Sequence, residues 1–502
     1  MAGTAVVILQ PAGRRFAVPR GAPLRDLLTE SGGETPCGGL GRCGGCRVRV
    51  EAGELPVTGR DRAVLSPAEL AEGWRLGCAA RAEADVTLSV GGDIAPVLGD
   101  AAAVGGGRRH GLGVAIDLGT TTLAAQLVDM ASGALLGSRT ALNPQTRFGA
   151  DVMSRVRAAA SGDGPMRVIR AELGRMVAGL VGGRGGEVAD IVLVGNTVMH
   201  HVFAGLDVRP LAEVPYESPS IGEQRFVPGE LGWSGLPDAR MVRFLPCLGG
   251  FVGSDILAGL VAVGLGEQDG LRALADLGTN GEIVLGNRAR ILVASTAAGT
   301  AFEAGSIAMG MRAAAGAIAQ VTAGADGRFD CTVIGGGAPR GLCGSGVVGA
   351  VAAGLETGAI RPNGRLAAGK TLAIAGNVQL TQGDVRELQL AKGAIAAGLR
   401  ILLRRWGTGI DAIEALFLAG AFGNYVDPDS AIRIGLVETA ARRVRPVGNT
   451  ALRGAKMLLG RETYPVLQRV SHVALAADPE FADTFAACMR FPAVNEERMA
   501  CD

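Results

Sequence analysis

Short apolar runs alternate with small-residue turns along the whole chain, and the spacing of those runs changes as the chain proceeds. TAVVIL (4–9) and RRFAVP (14–19) are strand-like runs on either side of QPAG, the pattern of a hairpin. PLRDLLTESG has helical spacing and ends on glycine. RVRVEAG alternates as a strand. SPAELAEGW carries a helix start, with Ser66 as cap and Glu69 three residues on, and DVTLSV closes this first group. GGDIAPVLGDAAAVGGGRRHG (91–111) then loses periodicity and reads as a linker, a tether that lets the N-terminal group move relative to the rest of the chain.

Beyond the linker, strand and helix patterns alternate, which places this part in the α/β class. GVAIDLGTTTLAAQLVDM (113–130) reads as strand, polar Gly/Thr turn, strand. ADIVLVGNTVMHHVFAG (189–205) reads as strand, turn, helix. ALADLGTNGEIVLGN (273–287) repeats the first pattern, and AIEALFLAGAFGNYV (412–426) is a strand running into a glycine-rich turn. AKGAIAAGLRILLRRWG (391–407) is helical. The resulting division is 1–95, a linker at 96–112, a first lobe at 113–270 and a second lobe with C-terminal elements at 271–502.

Composition narrows this picture in three ways. A net charge of +1 gives no argument for nucleic acid or an anionic membrane surface. Hydrophobic residues make up 48% and aromatics only 4%, so the core is built from Ala, Val, Leu and Ile. The 79 glycines imply many tight turns. No run of about 18 uncharged apolar residues occurs, and MAGTAVVILQPAGRRF lacks a basic segment before its apolar stretch, so it reads as a strand rather than a signal peptide. The expected location is the cytoplasm.

Four of the nine cysteines carry a pattern. Cys37, Cys43, Cys46 and the distant Cys78 form C-x5-C-x2-C…C, one residue from the plant-type spacing that holds a 2Fe–2S cluster. Gly38, Gly39, Gly41, Gly44 and Gly45 interleave the first three, which suits a loop that wraps its backbone around a cluster. Four thiolates also suit structural zinc, but zinc prefers two short C-x2-C pairs, and Cys78 has no such partner. Cys247, Cys331, Cys343, Cys488 and Cys501 are scattered without metal spacing and read as buried or idle thiols.

The second pattern is a repeat. Asp117-Leu118-Gly119-Thr120 and Asp276-Leu277-Gly278-Thr279 are the same tetrapeptide, each following an apolar run and preceding another. One Asp-x-Gly turn is common in hairpins; two in one context imply related lobes with facing loops. Such loops suit a nucleotide phosphate chain. Gly119 and Gly278 admit backbone N–H groups, Thr120, Thr121, Thr122 and Thr279 offer hydroxyls, and Asp117 and Asp276 suit Mg²⁺ held directly or through water.

These motifs, with Gly420-Ala421-Phe422-Gly423-Asn424, resemble the actin, sugar-kinase and heat-shock-chaperone ATPase superfamily, and the first 95 or so residues resemble a β-grasp ferredoxin of the adrenodoxin-type variant. The resemblance places Asp117, Gly119, Thr120 and Thr121 in the first phosphate motif. Asp276, Gly278, Thr279 and Asn280 fall in the second, and Gly420, Ala421 and Gly423 in the adenosine motif. The implied fold is an α/β ATPase of two ribonuclease-H-like lobes plus an N-terminal α+β ferredoxin domain. The fusion, together with NPQTRFGADVMSR (143–155), GNTVMHH (195–201), STAAGTAFEAG (295–305), GLCGSG (341–346) and AGAFGNY (419–425), looks like the reductive activators of corrinoid proteins. Larger members carry an additional middle domain where this chain has a short linker.

That resemblance implies an ATP-hydrolysing electron-transfer activator. It would pass an electron from a 2Fe–2S cluster on Cys37, Cys43, Cys46 and Cys78 to the cobalt(II) of an inactivated corrinoid methyl-transfer protein, using ATP and Mg²⁺. The implied partners are that corrinoid protein, an upstream electron donor and a second copy of the chain in a homodimer, with no nucleic acid and no membrane. Asp117 and Asp276 are the expected cation and water-positioning groups. Glu303 and Glu282 are further candidates for orienting the attacking water, or else ordinary capping or solvated carboxylates. His200 and His201, at the start of a helix, read as capping or packing residues rather than cobalt ligands, and Met153, Met309 and Met311 as core fillers.

Three alternatives arise from the same residues. One is a small-molecule kinase with a fused redox regulator, although no carboxylate base beside a substrate hydroxyl stands out. Another is a redox-gated module with a degenerate ATPase, against which the intact pair of Asp-Leu-Gly-Thr loops argues. The third is an activator of a different low-potential metalloenzyme such as a radical dehydratase, whose cysteines would lie inside the ATPase fold rather than in a separate N-terminal unit.

Overall fold

The computed structural model describes residues 3–10, 14–25, 27, 46–65, 67–90, 110–149, 151–182, 187–214, 216–233, 236, 241–324, 327–420 and 426–493. Cys37, Cys43 and Cys501, the linker residues 91–109, the cap Ser66 and the turn residues 421–425 therefore lie outside the described residues. The chain forms two compact units, Met1–Ala95 with Ala141–Arg155, and Pro96–Thr140 with Val156–Asp502.

In the smaller unit, β1 (Thr4–Gln10) pairs antiparallel with β2 (Arg14–Pro19), from Thr4 opposite Pro19 to Leu9 opposite Arg14, which is the hairpin the alternation predicts. β3 (Arg47–Gly53), β4 (Trp74–Leu76) and β5 (Val86–Val90) complete a five-stranded sheet of order β2-β1-β5-β3-β4. Ala5, Val7 and Leu9 alternate inward from β1 and meet Leu24, Val48 and Leu88 in one core, as period-2 patterning requires. Two short helices, α1 (Gly59–Val64) and α2 (Pro67–Ala71), bridge β3 and β4. A capping box is present on α1: Asp61 N–H donates to Thr58 Oγ1 at 3.2 Å, and Thr58 N–H donates to Asp61 Oδ2 at 2.6 Å. Asp61 is fully buried and also accepts the Leu76 N–H at 2.6 Å, so its charge is satisfied while it fixes β4 just before Cys78. Glu69, expected to help cap α2, is paired with Arg47.

The larger unit holds two six-stranded sheets. The first contains β6 (Leu112–Leu118), β7 (Thr122–Asp129), β8 (Leu135–Leu142), β9 (Val188–Gly195), β10 (Gln224–Phe226) and β11 (Val242–Phe244), in the order β8-β7-β6-β9-β11-β10. The helices of this lobe include α3 (Gly164–Val181), α4 (Thr197–Ala204) and α5 (Ser254–Ala262). The second sheet contains β12 (Leu271–Leu277), β13 (Gly281–Gly286), β14 (Ile291–Thr296), β15 (Ile413–Ala419), β16 (Val444–Gly448) and β17 (Val470–His472), in the order β16-β15-β12-β13-β14-β17. In both lobes an antiparallel meander (β6-β7-β8 and β12-β13-β14) is followed by a parallel strand beside the first (β9 against β6, β15 against β12). The repeated tetrapeptide thus marks a repeated topology. The long helices α6 (Gly344–Glu356) and α7 (Gln382–Trp406) pack into the core of the second lobe. α8 (Thr450–Leu458) joins α5 between the sheets, in a core that takes Ala115 and Val192 from one lobe and Leu274 and Phe417 from the other. Where α5 and α8 cross, a Cβ on Gly454 would stand 1.9 Å from the Ala258 carbonyl oxygen, so the helices are in backbone contact and only glycine fits. Among the described residues no helix is long and apolar enough to cross a membrane.

The histidine pair belongs to the core. Every residue of α4 from Thr197 to Phe203 is buried, as expected of a helix apolar on all sides. His201 contacts Ser218 Oγ through Nε2 at 2.8 Å and the Thr197 carbonyl through Nδ1 at 2.8 Å. His200 reaches the Gly222 carbonyl through Nε2 at 3.1 Å and meets the Phe244 ring edge-on. Packing, not cobalt ligation, is what these contacts describe. Burial, with the neighbouring His201 charge, lowers the His200 pKa from 6.5 to about 4.

A histidine whose folded pKa is depressed contributes stability that is complete above its unfolded pKa and is lost as pH falls through the window toward the folded value. Between pH 6.5 and 5 this one group should cost about 2 kcal/mol. Urea unfolding of the wild type and His200→Gln at pH 7.5 and 5 should show a clearly smaller acid-induced midpoint shift in the variant; equal shifts would contradict the assignment.

Candidate active site

Asp117 and Asp276 are each the next-to-last residue of the first strand of a lobe. Asp117 lies opposite Val194 of β9 and Ala124 of β7; Asp276 lies opposite Ala419 of β15 and Glu282 of β13. The parallel neighbour of each strand therefore ends beside the aspartate, so the Gly195-Asn196 and Ala419-Gly420 turns flank the two Asp-Leu-Gly-Thr loops. Gly420 has φ +90°, and a Cβ there would stand 2.8 Å from Asp276 Oδ1 and 2.9 Å from the Leu277 carbonyl oxygen, so that turn requires glycine. Gly119 is required by its own turn, since a Cβ would meet the Thr122 carbonyl at 2.5 Å. Gly278 is different: its nearest neighbours would be at 3.5 and 3.8 Å, leaving room beside the loop. Gly423 and Ala421 lie outside the described residues.

The loops of the two lobes are tied by one side chain. Glu303, at the end of the 3₁₀ turn Ala301–Glu303, accepts Thr279 Oγ1–H at 3.0 Å on one oxygen and Thr121 Oγ1–H at 3.2 Å on the other. Thr120 Oγ1 accepts the Asn196 amide at 2.9 Å, Thr122 opens β7, and the Asn280 carbonyl accepts the Gly278 N–H at 3.2 Å.

Around these loops carboxylates crowd together. Asp117, Asp276 and Asp255, the last in the first turn of α5, retain partial surface exposure, while Glu282, opposite Asp276 on β13, is buried. Burial pushes Asp117 up to about 6, against the Asn449 amide that donates to its Oδ2 at 2.9 Å. Burial and the charges of Asp117 and Glu303 push Asp276 up to about 7. Burial raises Asp255 and Glu282 too, reinforced by the charge of Asp276 on both. A low-dielectric crowd of carboxylates favours protonation; a divalent cation reverses that preference by favouring their ionised forms. Among the described residues no three His, Cys, Asp or Glu side chains form a ready metal cage. Mg²⁺ in general keeps several waters and is held by one or two carboxylates together with substrate phosphates.

Asp255, Asn196 and Asn449 were not singled out from the sequence. A signal for the two asparagines exists: Gly195-Asn196-Thr197 and Gly448-Asn449-Thr450 are the same tripeptide, each joining a strand end to a helix. Asp255 carries no comparable mark.

In the smaller unit Cys46 and Cys78, 32 positions apart in sequence, bring their Sγ atoms to 3.1 Å, well beyond the roughly 2.05 Å of a disulfide. The Gly77 N–H donates to the Cys46 carbonyl at 2.8 Å, and Leu65, Leu76 and Trp74 pack around the pair. Two thiols converging in an apolar surround fit two ligands of an iron–sulfur cluster; Cys37 and Cys43 lie outside the described residues. Of the other cysteines, Cys247, Cys343 and Cys488 are buried and free, and Cys331 is half-buried and free.

Residues 7–83 match the family described as the 2Fe-2S iron-sulfur cluster binding domain, 112–268 the RACo middle region, and 271–500 the C-terminal domain of RACo, the ASKHA (actin, sugar-kinase, heat-shock-chaperone) domain. The middle-region match thus falls on the stretch read from sequence as the first lobe, so the expectation that a short linker stands in place of that region does not hold. The chain is 35% identical over 421 residues to the corrinoid activation enzyme RamQ of Eubacterium limosum, covering 74% of this chain and 69% of that protein. It is 32% identical over 231 residues to the [Co(II) methylated amine-specific corrinoid protein] reductase of Methanosarcina barkeri, covering 41% of this chain and 42% of that one. Among solved structures, a reductive activator for corrinoid,iron-sulfur protein superposes with a TM-score of 0.69 at 25% identity, covering 98% of this chain and 99% of that one. The chain therefore belongs to the family of corrinoid activation enzymes, with a 2Fe–2S domain joined to an ASKHA-type ATPase.

Proposed function

We propose that this chain is an ATP-dependent reductive activator that passes an electron from a 2Fe–2S cluster to the cobalt(II) of an inactivated corrinoid protein, restoring cobalt(I) for methyl transfer. Two things support this: the family membership, and the convergence of both Asp-Leu-Gly-Thr loops on one acidic group in a chain that also brings Cys46 and Cys78 together. The proposed division is a ferredoxin-type domain at 1–95, a linker at 96–112 and ATPase lobes at 113–270 and 271–502. Further proposals are an upstream electron donor, a homodimer and a cytoplasmic location.

The cluster, on Cys37, Cys43, Cys46 and Cys78, supplies a one-electron carrier. Mg²⁺, on Asp117 and Asp276 directly or through water, supplies neutralisation of phosphate charge. The remaining work is assigned to this chain's own groups. Thr120, Thr121, Thr122 and Thr279 donate hydroxyls to phosphate oxygens, with Gly119, Gly278 and Asn280 shaping the loops. Gly420 and Gly423 are assigned to the adenosine motif. Glu303 accepts a threonine hydroxyl from each lobe. That position between Thr121 and Thr279 suits the Glu303 carboxylate to orient the attacking water, with Glu282, opposite Asp276 on β13, as the second carboxylate for that role. Reduction of cobalt(II) is uphill from an ordinary ferredoxin donor, so nucleotide must change the relative affinity for the two partner states; a ligand shifts an equilibrium only through such differential affinity.

Asp117→Asn and Asp276→Asn should each lower ATP hydrolysis on the order of a hundredfold, the usual scale for losing one charge-stabilising group. Each should leave the thermal midpoint unchanged or raised, because one member of a repelling group is neutralised. Lost activity accompanied by a lowered midpoint would mean the aspartates are structural.

With anaerobically reconstituted protein, chemical reductant and a cobalt(II) corrinoid protein, the cobalt(I) absorbance band should grow on adding Mg²⁺ and ATP, and ATPase turnover should change when the corrinoid protein is added. Cys78→Ser should remove the paramagnetic signal of the reduced cluster and abolish the cobalt(I) band while preserving ATP hydrolysis. ATPase turnover indifferent to the corrinoid protein would count against the proposal.

A further inference from the structure

Asn449 occupies an unusual position between the acidic site and the helix that joins the lobes. Its side-chain oxygen accepts the Leu452 N–H at 2.8 Å, capping α8, while its amide donates to Asp117 Oδ2 at 2.9 Å. A cap needs only the oxygen; the amide contact is a second function of the same side chain. The backbone just before it is tied to the adenosine turn, because the Gly420 N–H donates to the Gly448 carbonyl at 3.0 Å.

The strand before α8 and the strand after it, β16 and β17, both belong to the second sheet. Yet α8 is held on the first lobe at each end. At its start, Asn449 grips Asp117 of β6. At its exit, the Gly460 N–H donates to Asp190 Oδ2 at 2.8 Å, and Arg243 donates to the Arg461 carbonyl at 2.7 Å and to Tyr464 Oη at 2.9 Å. Asp190 and Arg243, on β9 and β11, are a buried ion pair in which both carboxylate oxygens accept from the guanidinium. The residues bounding this excursion, Gly448 and Gly460, have φ +68° and +70°, a backbone state that glycine adopts at little cost. Between them lies the close crossing of α8 with α5 at Gly454. The second lobe's chain thus lends a helix to the first lobe, and the cap of that helix touches the acidic site through Asn449.

We propose that Asn449 is a positioning residue that couples occupancy at Asp117 to α8, so that nucleotide and cation binding stiffens the helix linking the lobes; this rests on the reading of the acidic group as a nucleotide site. With the exit already clamped by Asp190 and Arg243, the start of α8 is the end that can respond. A carboxylate immobilised by its ligand holds its other oxygen on the Asn449 amide, and the same side chain carries that constraint into the first turn of α8. Asn196 has the parallel arrangement on α4, with its oxygen accepting the Met199 N–H at 3.0 Å and its amide on Thr120. However, α4 lies wholly within the first lobe, so of the two asparagines Asn449 alone reaches a segment common to both lobes.

Substitution separates the two functions. Asn449→Ser keeps a capping oxygen and loses the amide, whereas Asn449→Ala loses both. Hydrogen–deuterium exchange of the amides in 450–461 is read on the full chain with and without Mg²⁺·ADP, and calorimetry confirms occupancy. In the wild type Mg²⁺·ADP should slow exchange in this segment at least about fivefold, the lower end of typical coupling between sites. Asn449→Ser should bind Mg²⁺·ADP, show wild-type exchange without it and lose the slowing; Asn449→Ala should exchange faster in both states. If nucleotide binds and the wild type shows no slowing, or Asn449→Ser slows equally, the coupling is wrong while the nucleotide site stands. If the wild type binds no Mg²⁺·ADP, the site reading and the coupling fall together.

Discussion

Mutual repulsion among carboxylates at the facing strand ends is the constraint on which the larger unit is organised. Asp117, Asp255, Asp276 and Glu282 come from four elements of two lobes, and burial raises the pKa of each. Such a group is unfavourable unless protonated or matched by cations. The surrounding structure holds it in place all the same. Glu303 takes a hydroxyl from each loop, Asn449 supports Asp117, and Gly420 is needed because any side chain would collide with Asp276. Buried perturbed carboxylates in a cleft are a recurring mark of function, and here the fold keeps the strain at the place where phosphate loops meet.

Much of this was legible in the sequence because its determinants are local. Each Asp-Leu-Gly-Thr turn is a strand end and a tight turn within one tetrapeptide, and its second copy exposes the repeat of topology. The hairpin of β1 and β2 and the helix at 391–407 were readable for the same reason: period and punctuation are properties of contiguous residues. What was not readable depends on residues far apart in the chain. Asn449 is hundreds of positions from Asp117, and nothing in its own neighbourhood states that its amide will find that carboxylate. Asp255 joins the group only because α5 starts against the end of β9, where the Ser254 hydroxyl bonds Gly195. Glu303 was a candidate from its motif, yet its role as a link between threonines of opposite lobes comes from tertiary contact alone.

The smaller unit shows the same division. The cysteine spacing announces a cluster, but the support of Cys78 comes from a buried aspartate. Asp61 accepts the Leu76 N–H two residues upstream of the ligand and is itself held by the Thr58 capping box. In the next helix, Glu69 is engaged by Arg47. That ion pair joins β3 to α2 and is set by tertiary packing rather than by neighbours in sequence.

For the acidic group to serve as a nucleotide site, it must receive a cation together with a polyphosphate. Equilibrium binding of ATP to the full chain, measured with Mg²⁺ and again with the metal removed by chelation, tests this most directly. Carboxylates alone repel phosphate, so affinity should fall at least about tenfold, or 1.4 kcal/mol, when Mg²⁺ is withdrawn. Binding of equal strength with and without the cation would contradict the assignment of the site.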